Sequence, residues 1–237
     1  MTYIILAAGK GTKLQPLTAK RPKSLYRIAS EISILRYTIG SIRKIDPDAE
    51  IVLVVGFMSQ QVVDDVADLN AKIVFNPYYS VTGSMGSLWF ARDFLQRENV
   101  SIINGDVVFS QEIVKDIICS HTDYPFVLVD SSFAGKGKYN VQTQNDRVCV
   151  MSNNLTEFYG AYASVSKLDA VTSRFLLEKV EEMVGEEMYD LFYEDALVQM
   201  IFENDFELYF KDISGRLWVE VDSVDDLLKA REISNMV

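Results

Sequence analysis

Tyr3-Ile4-Ile5-Leu6-Ala7-Ala8-Gly9-Lys10-Gly11-Thr12-Lys13-Leu14 opens the chain, and Pro22-Lys23 closes the segment it begins. An apolar strand, Tyr3 to Leu6, runs directly into two alanines and a Gly-Lys-Gly-Thr turn. Small side chains let the backbone approach a ligand closely, and glycines reach φ values that line up successive N–H groups. Polyphosphate fits such a nest, and Lys10, Lys13 and Lys23 supply the opposite charge. Two other phosphate loops are excluded by spacing. Neither glycine is followed by Gly-Lys-Ser/Thr at the Walker A distance, and Leu14 stands where a dinucleotide fingerprint needs its third glycine.

Outward from this turn, apolar runs alternate with amphipathic ones. Strands are expected at 3–6, 50–55, 72–75, 101–103 and 126–129, and helices near 32–44, 60–69, 85–96 and 111–120. Such alternation predicts an α/β fold, a mostly parallel mixed sheet flanked by helices, with ligands at the carboxyl ends of the strands. Beyond 130 the texture changes. Short antiparallel strands are expected at 139–144, 148–151 and 158–164, then helices near 167–184 and 190–203, strands at 206–210 and 217–221, and a last helix from 224 to 233. With no Gly/Pro/Ser-rich linker or repeat, residues 1–237 read as one domain: a nucleotide-binding half, 1–130, and an acceptor-binding half, 131–237.

The net charge of −11 over 237 residues argues against nucleic acid as a partner, while the lysines of the first 23 residues form a local exception. No apolar run approaches a membrane span. Cys119 and Cys149 have no metal or redox spacing and read as buried thiols, so a cytoplasmic protein is expected. The pattern allows a homodimer without requiring one. His121 is the single histidine, so acid–base or nucleophilic chemistry built on histidine would rest on that one residue.

The full run from Leu6 to Lys23 resembles the signature of the nucleotidyltransferases that activate sugar phosphates and phospho-alcohols, L-A-A-G-x-G-[ST]-x-L-x-P-L-T-x-x-x-P-K. Every specified position is met, including Pro16-Leu17-Thr18. Lys13 stands where many members carry arginine, which keeps the charge but loses the bidentate fork. The resemblance implies a Rossmann-like core and a nest made by Leu6, Ala7, Ala8, Gly9, Gly11, Thr12 and Lys13. It also implies Lys13 along the triphosphate and Lys23 near the α-phosphate or acceptor phosphate. The activated product would serve a surface glycan or lipid.

Asn104-Gly105-Asp106 ends one strand and Asp222 another. Taken alone, each aspartate is as readily a turn or helix cap as a metal ligand. The resemblance implies that Asp106, with Gly105 beside it, and Asp222 together hold Mg²⁺ against the triphosphate. Between Asn76 and Trp89 lies a polar, glycine-rich loop in which Asn76, Thr82, Gly83, Ser84 and Ser87 are placed to read a nucleobase edge, or else to form a loop and helix cap. This stretch is similar to the CTP-using branch, which includes choline-phosphate-type cytidylyltransferases, so CTP is the expected nucleotide. UTP or dTTP with a sugar 1-phosphate is the alternative.

For the acceptor, the family lysine that Met151–Leu155 lacks is expected to be replaced by Lys138 or Lys136, or else by Lys23 together with the metal. Tyr159 resembles a substrate-facing strand residue. Tyr189, Asp190, Tyr193, Glu194 and Asp195 form an aromatic and acidic cluster suited to a cationic amine. The reading is therefore a Mg²⁺-dependent nucleotidyltransferase joining CTP to a small phosphorylated acceptor. Two other classes stand against it. A non-catalytic nucleotide sensor need not keep both carboxylates, and a glycosyltransferase should show Asp-x-Asp where this chain has Asp106-Val107-Val108.

Overall fold

The computed structural model describes residues 1–133, 135, 137–204 and 206–236; Lys136 lies outside the described residues. In chain order come β1 (Thr2–Ala7), three 3-10 turns up to Leu25, β2 (Arg27–Ala29), β3 (Ile32–Ser33), α1 (Ile34–Ile45), β4 (Glu50–Val55) and α2 (Ser59–Asp65). Then follow β5 (Lys72–Phe75), α3 (Ser84–Phe90), β6 (Asn99–Asn104), β7 (Val107–Phe109), α4 (Gln111–Ile113) and β8 (Phe126–Asp130). The remainder is β9 (Asn140–Gln144), β10 (Arg147–Ser152), β11 (Gly160–Asp169), α5 (Ala170–Gly185), α6 (Tyr193–Asn204), β12 (Tyr209–Asp212), β13 (Trp218–Glu220) and α7 (Val224–Asn235).

Nine strands form one sheet in the order β5-β4-β1-β6-β11-β8-β12-β10-β9. Pairing is parallel from β5 to β6 and between β8 and β12, while β11 runs antiparallel to both β6 and β8. The sheet is therefore mixed, and its halves interleave: β11, from beyond residue 130, sits between two strands from before it. The central strands alternate between two cores. Ile4, Val52, Val54 and Ile102 face the layer of α3, α5 and α6. Tyr3, Ile5, Leu53 and Ile103 face the opposite layer with α1. A strand covered on both faces reads as a continuous apolar run, which is why β1, β4 and β6 were legible. Ser33 caps α1 by accepting the Arg36 N–H at 3.0 Å, a contact worth about 1 kcal/mol.

Several expected boundaries differ: the strand expected at 206–210 is β12, Tyr209–Asp212, and the helix expected over 111–120 is α4 followed by a π-helical turn, Val114–Ile118. Lys167-Leu168-Asp169 is strand rather than the first turn of a helix, because Asp169 caps α5 through the N–H groups of Val171 and Thr172. The helix expected from 85 to 96 is α3 followed by a 3-10 segment, Arg92–Gln96.

A third, smaller core gathers Leu14, Ile28, Ile34, Tyr37 and Val108 with Val219, Val221, Leu227, Ala230 and Ile233. It fastens the segment after the glycine turn to the last helix. That packing positions the site.

Candidate active site

The glycine turn leaves β1 at the carboxyl edge of the sheet, beside the end of β6, where the Gly105 N–H donates to the Leu6 carbonyl at 2.9 Å. Gly11 has φ +62°, a left-handed value that favours glycine, and a Cβ there would press against Lys23 and Thr18. Its carbonyl accepts from Thr18 Oγ1 at 2.7 Å, which folds the segment back and brings Lys23 under the nest. An open cavity of about 320 Å³ begins here, lined by Leu6, Ala7, Ala8, Gly9, Gly11, Thr12, Lys13, Lys23, Gly105 and Asp106.

On its far wall, β13 pairs antiparallel with β7, placing Glu220 opposite Val107. The Val221 N–H donates to the Asp106 carbonyl at 2.9 Å. Val219 and Val221 are buried in the third core, so the alternate residues Glu220 and Asp222 turn toward the cavity together. Asp222 is not the cap of α7. Ser223 takes that role in a capping box with Asp226, which leaves the Asp222 carboxylate free for the lysines. Lys23 Nζ lies 2.5 Å from Asp106 Oδ2 and 2.8 Å from Asp222 Oδ1; Lys13 Nζ lies 2.7 Å from Asp222 Oδ2. Lys138 Nζ reaches Glu220 Oε1 at 2.7 Å, and Ser164 Oγ donates to Glu220 Oε2 at 3.1 Å.

Burial opposes ionisation of Asp222, but Lys23 and Lys13 overcome it and hold the carboxyl at about 2. Asp106 is likewise held below the ordinary range against its burial, by Lys23 and Lys138. Glu220 is raised by burial and by the neighbouring Asp106. Lys23 and Lys138 are raised because the carboxylates outweigh the cost of burying their charge.

The loop after β5 is organised by Asn76, which is fully buried and does not itself line the cavity. Its amide donates to Thr82 Oγ1 at 3.0 Å and Ser87 Oγ at 3.1 Å, and its carbonyl oxygen accepts the Tyr78 N–H at 2.9 Å. This presents Thr82, Gly83, Ser84 and Ser87 to the cavity. The loop docks on the segment before α6: the Gly83 N–H donates to the Tyr189 carbonyl and the Met85 N–H to the Leu191 carbonyl.

The expected acceptor residues divide. Lys138 lines the cavity; Tyr159, Tyr189, Tyr193 and Asp195 do not. The Tyr159 hydroxyl donates to Asp212 Oδ2 at 2.9 Å and its ring packs on Phe210, tying it to β12. Tyr189 meets the loop through its backbone only. Tyr193 is fully buried, bonded to the Tyr162 hydroxyl at 2.6 Å, because its helical register points it into the core. Asp195 spends its carboxylate on the Tyr139 hydroxyl and the Phe192 N–H.

Residues 2–138 match the family model described as Nucleotidyl transferase, more than half of the chain. This chain belongs to the nucleotidyl transferase family. The transferase is 25% identical to the choline-phosphate cytidylyltransferase of Streptococcus pneumoniae over 234 residues, 98% of each chain. It is 23% identical to the CTP:phosphoglutamine cytidylyltransferase of Campylobacter jejuni, covering 96% of this chain and 98% of the relative. A solved structure of CTP:phosphocholine cytidylyltransferase from Streptococcus pneumoniae shares the fold, with a TM-score of 0.80 at 22% identity over 98% of both chains. Among the described residues of the transferase, no helix is long and apolar enough to cross a membrane.

Several cavity residues of the transferase lie outside the sequence-based site, Glu220 and Ser164 among them. Glu220 was legible as the polar alternate of Trp218-Val219-Glu220-Val221-Asp222. Ser164 was not: it has φ +58° at an irregularity in the pairing of β11 with β8, and such a bulge re-aims a side chain without a local sequence mark. Glu194 belonged to the acidic cluster, but only the helix register separates it from Tyr193 and Asp195. A divalent cation also fits the donor set. One oxygen each of Asp106, Glu220 and Asp222 lie within 4.8 Å of one another, and Asp106 Oδ1 is buried with no hydrogen-bond partner. An all-oxygen set suits a hard ion.

Proposed function

We propose that the transferase condenses CTP with a small phosphorylated acceptor, releasing pyrophosphate. The observation that carries this reading is the ion-paired group Lys13, Lys23, Asp106 and Asp222 beside the glycine nest, where phosphate, metal and cation chemistry meet at one strand edge. The acceptor's own phosphate (or phosphonate) oxygen is the nucleophile. It forms a bond to the α-phosphorus while the bond to the β-phosphate bridge breaks, so no histidine or serine base is required. The backbone of Ala8 to Thr12 cradles the triphosphate. Lys13 and Lys23 neutralise the charge that develops on it, and Lys138 steadies Glu220 at the acceptor side. Asp106 and Asp222 would hold Mg²⁺, which when bound supplies charge neutralisation for the departing pyrophosphate.

CTP is favoured by the two cytidylyltransferase relatives matched over nearly their whole length and by the loop Thr82 to Ser87, where the Ser84 and Ser87 hydroxyls accept bonds from the protein and keep their own protons to donate to a base edge. Pyrophosphate release with Mg²⁺ is the test, run for CTP, UTP, dTTP, ATP and GTP against phospho-alcohols, phosphonates and sugar phosphates. Turnover with CTP and one acceptor, lost in Asp106→Ala and Asp222→Ala, is expected. Preference for UTP or dTTP with a sugar phosphate would replace the base assignment, and nucleotide binding without release would make the protein a sensor.

A further inference from the structure

Glu194 stands in the wall of the cavity outside the lysine–carboxylate group. It is 3% exposed, and its Oε2 is buried with no hydrogen-bond partner among the described residues. The neighbouring acids are already engaged: Asp195 with the Tyr139 hydroxyl and the Phe192 N–H, Glu220 with Lys138 and Ser164. The three lysines of the site are matched by three carboxylates, Asp106, Glu220 and Asp222. Among the described residues Glu194 therefore has no cation in a direct ion pair. Burial accordingly pushes its carboxyl up to about 8, with its own backbone N–H and then Lys138 only partly opposing. The wall around it is aromatic: Tyr139, Tyr162 and Phe192 line the same cavity, with Tyr139 and Phe192 meeting edge to face at 5.6 Å.

An ammonium entering this aromatic wall would favour the ionised form of the carboxyl, whose buried Oε2 then accepts its N–H. The rings attract any ammonium. An N–H on that ammonium also completes Oε2, which an N-methyl group cannot do. Resting on the function proposed above, we propose that Glu194 is a specificity-determining residue that selects an acceptor bearing an ammonium with at least one N–H over its quaternary counterpart. A quaternary nitrogen presents methyl groups on every side and leaves Oε2 desolvated and unbonded, the situation in which a polar site rejects an analogue most strongly.

The test is a graded series with CTP and Mg²⁺: 2-aminoethyl phosphate, its N-methyl and N,N-dimethyl forms, phosphocholine, and glycerol phosphate as the neutral member. The expected result is comparable kcat/KM for the three N–H ammonium acceptors and a fall of about tenfold or more at the last methylation. In Glu194→Gln the first three fall and that last step flattens, while the KM for CTP is unchanged, which also shows that the variant folds. Phosphocholine used as well as the dimethyl form would overturn the proposal. So would a last step that survives in Glu194→Gln, since size would then explain it, and so would turnover of glycerol phosphate alone, although nucleotidyl transfer would stand. No turnover with retained CTP binding overturns the acceptor assignment only; loss of CTP binding as well overturns both readings.

Discussion

Lys23 touches Asp106 and Asp222 at once, so its removal takes a cation from the phosphate site and leaves two half-buried carboxylates facing each other. Lys23→Ala should lower kcat/KM by roughly two to three orders of magnitude, measured by pyrophosphate release. Lys13 is the more exposed of the pair and contacts Asp222 alone, and Lys13→Ala should cost less. Glu194 gives a pH signature of its own. Its carboxyl rises from 4.5 to about 8 on burial. Between those values the folded chain holds a proton that the unfolded chain has lost. Stability therefore falls as pH rises through that window, by at most about 1.4 kcal/mol per pH unit from this group. Asp222 runs the other way: its contribution is present above 3.8 and is lost as pH falls through about 2. Denaturant unfolding of wild type and Glu194→Gln across the neutral window checks the first, the variant showing the flatter slope.

At the level of elements, the base-facing loop depends on a close backbone approach. A Cβ on Gly83 would collide with the backbone carbonyls of Asp190 and Leu191, which belong to the segment leading into α6. Gly83→Ala should therefore destabilise the fold by about 1–3 kcal/mol. It should also raise the KM for CTP more than that of the acceptor, which steady-state kinetics would separate. The same region marks where sequence reading reached its limit. The loop from Asn76 to Ser87 was legible because its small and polar residues interrupt an apolar strand. That Asn76 organises the loop from beneath, never facing the ligand space, depends on hydrogen bonds that composition does not reveal. Tyr193, Glu194 and Asp195 are adjacent and equally suited to a ligand on paper, and only packing of α6 on α3, α5 and β10 sends one to the core, one to the cavity and one to a cap. Lys167 read as helix for a similar reason, being a charged residue near an amphipathic run. It is instead a buried strand residue whose Nζ donates to the carbonyls of Ile117, Ile118 and Ser120.

Across the whole molecule, the site is assembled from chain segments some 200 residues apart, and the third core is what holds them. Lys13 and Asp222 are separated by 209 positions and meet at 2.7 Å. Leu227→Ala, in the face of α7 that packs there, should cost about 2–5 kcal/mol in unfolding free energy. Because the register of β13 against β7 loosens with it, kcat/KM should fall at temperatures where the fold persists; calorimetry and kinetics on the same sample would show both. The parallel half of the sheet and the glycine turn could be anticipated from local runs. The pairing of β7 with β13 could not, since two three-residue strands carry little pattern and their partnership is long-range. That pairing also sets an order on biosynthesis. The ribosome makes the phosphate nest some 200 residues before the carboxylates of Glu220 and Asp222, so a chain that stops between them carries half a site with β7 unpaired. Competence arrives in one step, when β13 and α7 emerge and dock.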